Sequence, residues 1–420
     1  MPPISPLDGI ATRFVQLAHQ LNIHTPGYVD AYYGPLELKP IIEDPALYPV
    51  SGIIAEAGRL REELRSTLEG HPQRRHYLAS NLRALEMRAR VVAGEPISLR
   101  DEMRACYDID PLWTEESQLD ELHRELSDLL PSSTEPLATR YQQHIVERRA
   151  IPADQALQLL EADILPSLRA MTSAFFPLPE MATIALGLKF NVSWSGYNFY
   201  LGAFRAGVKF NGSKPMELPQ LALIGAHEAW PGHAADLSIH EALLGIGQGR
   251  VEHLISLFGS PWCLVSETLA MLGLQVLMSP DEIIAFQQSL FARADRSNLD
   301  AKREQRITEI DSALRSAQGN MCLMLEQGSS EQEALNYTKK WRLETDEGAA
   351  RTLQFIKVFG RAYPFTYYLG LPSMQALFDR PEGKLYWANR ILTEPATPSQ
   401  IRAWVKDGPL ALTPLEGDLI

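Results

Sequence analysis

The sequence predicts a mainly α fold, a helical body around a cleft with one small β-hairpin next to a metal-binding helix. Three observations predict it. Apolar residues recur at three- and four-residue spacing through most of the chain, as in Ile10, Phe14, Leu17 and Leu21. Two-residue alternation is confined to one region, at Leu188, Phe190, Val192 and Trp194 and again at Phe204, Ala206, Val208 and Phe210. Soon after it stands His227-Glu228-Ala229-Trp230-Pro231-Gly232-His233, a concentration of metal-ligating residue types.

Taken in order, helices are expected over 8–22, 52–70, 72–94, 99–107, 115–130, 135–147 and 152–175. Gly70 is placed to stop the second, and Ser98 and Thr114 to cap the fourth and fifth. The breaker-rich, tyrosine-rich stretch 25–35 reads as a loop whose Tyr28, Tyr32 and Tyr33 either line a cleft or pack against helices. Phe176-Pro177-Leu178-Pro179 is the best boundary, dividing a helical N-terminal region (1–178) from a metal-binding catalytic region (179–420), with one continuous helical body as the alternative. The alternating runs at 188–194 and 204–210 form a hairpin with Ser195-Gly196 as its turn and a bulge admitted at Gly202 or Gly207. Glu217 then opens the helix that carries the motif. Further helices are expected over 250–257, 261–278, 280–293, 298–316, 330–341, 348–359, 373–378 and 399–405. Glu252 and His253 read as surface residues.

Composition excludes several classes. With 52 acidic and 39 basic residues the net charge is −13, which argues against a nucleic-acid partner. Cys106, Cys263 and Cys322 are odd in number and widely spaced, so neither a disulfide framework nor a CxxC site is expected. The first residues lack a basic stretch followed by an apolar run. The most apolar segment, 262–278, is interrupted by Glu267 and Gln275. These features lead to the expectation of a cytoplasmic protein with no membrane partner.

Two histidines one helical turn apart can share a zinc ion, while a glutamate beside the first acts as general base on the water the metal polarises. Here His233 lies six residues beyond His227, about 9 Å of rise and roughly 240° of rotation on an unbroken helix, so the pair could not share one ion. Pro231 and Gly232 stand between them. Proline removes an N–H donor and clashes with the preceding turn, and glycine admits backbone paths closed to other residues. The backbone must therefore leave regular α-helix between Glu228 and His233, by a kink, a restart or a π-type bulge. Glu267, in an almost wholly apolar helix, is the third ligand candidate, because a lone buried carboxylate is costly unless a cation meets it. Asp236 and His240 follow at helical spacing as an alternative metal set or as groups orienting His233.

The motif resembles the H-E-x-x-P-G-H signature of a widespread bacterial zincin-like family catalogued as a domain of unknown function, which is distantly similar to helical oligopeptidases and thermostable carboxypeptidases. The stretches 197–211, Ser266-Glu267-Thr268-Leu269-Ala270 and Arg361-Ala362-Tyr363-Pro364-Phe365-Thr366-Tyr367-Tyr368-Leu369-Gly370 resemble further segments of that family. The resemblance implies one zinc ion held by His227, His233 and Glu267, Glu228 as the base, and the strand around 203–210 beside the cleft. It makes Tyr367 the candidate for stabilising an oxyanion, with Tyr363, Tyr368 and Arg361 as alternatives. The implied activity is hydrolysis of peptide bonds in short peptides. Hydrolysis of a non-peptide amide or ester, or a non-catalytic binding role, are the alternatives.

Overall fold

The computed structural model describes residues 5–67, 71–213 and 215–413. It is mainly helical, as expected, with small sheets embedded among the helices. The first eight helices are α1 (Pro6–His24), α2 (Val50–Ser66), α3 (Pro72–Val92), α4 (Leu99–Tyr107), α5 (Glu116–Leu129), α6 (Leu137–His144), α7 (Ala153–Leu159) and α8 (Leu165–Phe175). Their starts follow capping chemistry. Ser5 and Ser98 accept from the backbone N–H groups of Asp8 and Asp101, satisfying donors that the first helical turn leaves open. Thr114 does not cap α5; its N–H and carbonyl instead bond the Asn320 side chain. Gly70 lies outside the described residues.

Seven short strands follow in chain order as β1 (Val29–Tyr32), β2 (Ala150–Ile151), β3 (Thr183–Lys189), β4 (Gly196–Gly202), β5 (Arg205–Asn211), β6 (Met216–Glu217) and β7 (Ile255–Leu257). β1 pairs antiparallel with β7, so the tyrosine-rich stretch is partly strand. The main sheet has the order β3-β5-β4, with β3 parallel and β4 antiparallel to β5.

That sheet corrects the expected hairpin. Residues 190–195 link two strands, because Asn191 adopts a left-handed conformation (φ 59°) that ends β3 and the Asn211 side chain donates to the carbonyls of Val192 and Trp194. The hairpin turn is at Gly202, Ala203 and Phe204, all with positive φ. Two of these are not glycine, which hides the turn from a sequence search. The buried Glu241 carboxylate holds it. Its Oε1 accepts from Ala203 N–H at 2.9 Å, and its Oε2 accepts from Phe204 N–H at 3.1 Å and from the Tyr200 hydroxyl at 2.5 Å.

The second half contributes α9 (Leu221–Glu228), α10 (His233–His240), α11 (Pro261–Met271) and α12 (Gly273–Leu277). Outside them lie α13 (Pro280–Arg293), α14 (Ala301–Leu314), α15 (Ser316–Glu326), α16 (Glu331–Arg342), α17 (Asp346–Phe359), α18 (Leu371–Phe378), α19 (Lys384–Thr393) and α20 (Pro398–Asp407). The helix expected over 250–257 is instead a 3-10 turn followed by β7, and that over 261–278 is divided at Leu272. Glu217 belongs to β6, and a 3-10 turn separates it from α9. Glu252 and His253, expected at the surface, are buried. Arg74 pairs with both Glu252 oxygens, and Tyr77 stacks on the His253 ring.

α9 packs against α11 and α12, which carries Glu267 towards the motif. The largest core surrounds this junction and mixes Leu160 and Ile164 with Ala226, Trp230 and Val265, on both sides of Leu178. Among the described residues, no helix is long and apolar enough to cross a membrane.

Candidate metal centre

α9 ends at Glu228 and α10 begins at His233, so the helix breaks where the sequence placed the break. The interruption is a full restart rather than a π-type bulge. Ala229 leaves helical angles (φ −118°, ψ −87°), and Gly232 is extended in ψ (φ −72°, ψ −139°). Backbone bonds close the gap: Gly232 N–H donates to Ala226 O at 2.9 Å and Ala235 N–H to Ala229 O at 3.1 Å. Gly232 is needed for space, since a Cβ there would fall 1.9 Å from the His227 carbonyl oxygen.

The restart turns both imidazoles to one point. Their Nε2 atoms are 3.2 Å apart, with the rings at 87° to each other. Glu267, on the second turn of α11, reaches them with Oε2 3.4 Å from His227 Nε2 and Oε1 3.6 Å from His233 Nε2. Ser260 caps that helix and Pro261 opens it. One ligand atom from each of the three residues lies within 4.8 Å of the other two, and they are the one group of this kind among the described residues.

The surroundings settle the donor roles. Ser266 Oγ donates its single proton to Asp236 Oδ2 at 2.6 Å. Its 3.2 Å contact with His233 Nδ1 must then be accepted from an Nδ1–H, which leaves the His233 Nε2 lone pair facing Glu267 and His227. Asp236 Oδ1 lies 3.6 Å from His240 Nε2. Asp236 and His240 therefore support His233 through Ser266 and do not join the group of His227, His233 and Glu267. On the other side, the Tyr363 hydroxyl donates to Glu267 Oε1 at 2.6 Å. Glu267 Oε2 is buried and faces His227 Nε2.

Electrostatics follow from this packing. Burial opposes ionisation of Glu267, but the two histidines and Tyr363 outweigh it and hold the carboxyl at about 2. Burial lowers His233 to about 4. It pushes Glu228 up to about 7, a rise that His227 opposes and Glu267 and Asp30 reinforce. Two convergent imidazole nitrogens and one ionised carboxylate form a donor set of the type and number that zinc would accept.

Glu228 borders a cavity of about 80 Å³ together with the three ligand residues, Tyr363 and Tyr367. Tyr367 packs edge-to-face on Tyr363, with ring centroids 5.6 Å apart. Arg361 is elsewhere, bonded to Glu102, Glu326 and Ile97 O, and Tyr368 packs on Phe365 outside the cavity lining.

The strand beside the cavity is β4, not the expected 203–210 segment. β5 is the central strand, so both of its edges are already paired, whereas Gly196, Tyr197 and Asn198 of β4 line the cavity. Asn198 Nδ2 donates to the Glu228 carbonyl at 2.7 Å, tying this edge to the end of α9. Gly196 permits the approach, since a Cβ there would lie 2.8 Å from Glu228 Oε1. Sequence reasoning missed Ser266, Asn198, Gly196 and Asp30 as site residues. Ser266, adjacent to Glu267, carried the one available signal.

No family model matches the chain, and no curated protein matches it. Among solved structures, it is similar to a protein from Colwellia psychrerythraea provisionally described as a lipoprotein (TM-score 0.51, 12% identity, covering 85% of this chain and 70% of that one). A second, from Shewanella oneidensis, is provisionally described as a lipoprotein of unknown function (TM-score 0.47, 10% identity, covering 84% and 72%). The description of the Colwellia protein as a lipoprotein runs against the cytoplasmic expectation, which is not carried further. At such identity the likeness to the Colwellia protein shows the fold alone and assigns this chain no location.

Proposed function

We propose that this chain is a zinc-dependent peptidase acting on short peptides, of the zincin-like kind that its motif resembles. The observation that carries the proposal is the convergence of His227 Nε2, His233 Nε2 and a Glu267 carboxylate oxygen within 4.8 Å of one another on the wall of one cavity, beside Glu228. His227, His233 and Glu267 would hold the ion, which when bound supplies a Lewis acid for water and for the substrate carbonyl.

The chain's own groups do the rest. Glu228 takes the proton of the attacking water and returns it to the leaving nitrogen, a role suited to a carboxyl whose pKa is already near neutrality. The Tyr367 hydroxyl, on the cavity wall, donates to the carbonyl oxygen as negative charge develops there. The β4 edge aligns an extended peptide by main-chain hydrogen bonds.

Metal content after purification without chelator, and after zinc addition, tests the first step. One equivalent of zinc, lost in His233→Ala, is expected. Absence of zinc under both conditions overturns the proposal. Glu228→Gln should keep the metal and lose peptide hydrolysis.

A further inference from the structure

A second chamber of about 360 Å³ adjoins the metal cavity, with Asp30, Trp194, Tyr197, Phe258, Phe359 and Tyr363 lining both. Its size falls in the range of small-molecule sites. The outer end is marked by exposed Pro26, Lys189 and Val358. The inner end is marked by buried Tyr28, Glu102, Cys106 and Tyr107, with Arg88 among them.

Two groups at that inner end keep hydrogen-bonding capacity that the protein does not use. The Tyr28 hydroxyl is buried, in a residue only 3% exposed, and makes no hydrogen bond. Arg88 donates from one nitrogen only, to Glu102 Oε1 at 3.3 Å. The other Glu102 oxygen accepts from Arg361 at 2.9 Å, and Arg361 is in turn paired with Glu326. Arg88 and Tyr28 line the same chamber. Asp30, which lines both chambers, accepts from Tyr197. An arginine whose one hydrogen bond goes to Glu102 and an unengaged phenol are hydrogen-bond donors in the lining of one aromatic-walled space.

We propose that this chamber is a substrate subsite that binds a carboxylate through Arg88 and Tyr28, with the aromatic walls packing the apolar part of the same substrate residue. The identity of the ligand as part of a peptide rests on the peptidase proposal. The carboxylate is either a free C-terminus or an acidic side chain, and both present the same acceptor.

Calorimetric titration of the full chain, zinc-loaded and again after chelator treatment, tests this without turnover. The probes are N-acetylphenylalanine (terminal carboxylate), the α-amide of N-acetylglutamate (side-chain carboxylate) and N-acetylphenylalanine amide as the neutral control. At least one carboxylate should bind in both metal states, with the amide roughly tenfold or more weaker. The probe that binds identifies the source. Arg88→Met should weaken that binding roughly ten- to a hundredfold. Tyr28→Phe removes a hydroxyl with no partner, so it should leave folding intact while weakening the carboxylate several-fold. Equal binding of acid and amide, binding that requires zinc, or binding unchanged in Tyr28→Phe and Arg88→Met overturns the assignment. None of these outcomes bears on whether zinc is held at the neighbouring site.

Discussion

Ser266 is the most informative residue to perturb, because it is neither a proposed metal ligand nor a proposed catalytic group. Its Oγ is the one link between the Asp236 carboxylate, 2.6 Å away, and His233 Nδ1, 3.2 Å away. Ser266→Ala removes both contacts and adds no bulk. Two costs follow. A carboxylate in a residue 3% exposed loses a charge-assisted bond, about 1.5–3 kcal/mol of stability. His233 also loses the acceptor that keeps its proton on Nδ1, so its Nε2 is no longer held as a lone pair towards Glu267. Partners of this kind contribute roughly ten- to a hundredfold in metal affinity. Competition with a chromophoric chelator gives the zinc dissociation constant, and urea unfolding of the metal-free protein gives the stability. Ser266→Thr, which retains the hydroxyl, should recover most of the affinity. A Ser266→Ala protein that binds zinc as tightly as the parent would show that His233 is not oriented through Ser266, and would refute the tautomer assignment.

Other substitutions probe the remaining links. Gly232→Ala would set a Cβ 1.9 Å from the His227 carbonyl oxygen. It should therefore abolish zinc binding and cost more than about 3 kcal/mol in urea unfolding. Gly196→Ala should push the Glu228 carboxylate aside from 2.8 Å, reducing kcat roughly ten- to a hundredfold while zinc content stays at one equivalent. Glu241→Gln leaves the turn N–H groups of Ala203 and Phe204 imperfectly accepted, and about 2 kcal/mol of stability should be lost in the same assay. His253, stacked on Tyr77, is held well below its ordinary pKa by burial, with His240, Arg250 and Arg74 adding to the effect. The unfolded chain gains a proton there near pH 6.5 and the folded chain does not, so this contribution is present above that pH and is lost as pH falls. Relative to His253→Phe, the parent should lose about 1.4 kcal/mol per pH unit below about 6. Parallel stability curves for the two proteins would refute it.

What was legible in the sequence depended on whether local physics or long-range contact decides each feature. The helix break was legible because Pro231 and Gly232 act within one turn of His227, and no distant partner is needed to force the chain out of α-helix there. Glu267 was legible for the opposite reason: its helix is so apolar that an isolated carboxylate needed explanation. The hairpin register was not. Ala203 and Phe204 take positive φ only because Glu241, 37 and 38 residues away, accepts their N–H groups, and nothing within the hairpin announces that. The same applies to Glu252 and His253, polar residues buried by Arg74 and Tyr77 from a distant helix. Among the tyrosines, sequence weighed Tyr363 and Tyr367 for the same task, yet three-dimensional placement divides them. Tyr363 is bonded to Glu267 and cannot also donate its one proton to a substrate oxygen, whereas Tyr367 lines the cavity without such a bond to a ligand. Tyr363→Phe should therefore weaken zinc binding, and Tyr367→Phe should lower kcat at full zinc occupancy. The reverse pattern would exchange their roles.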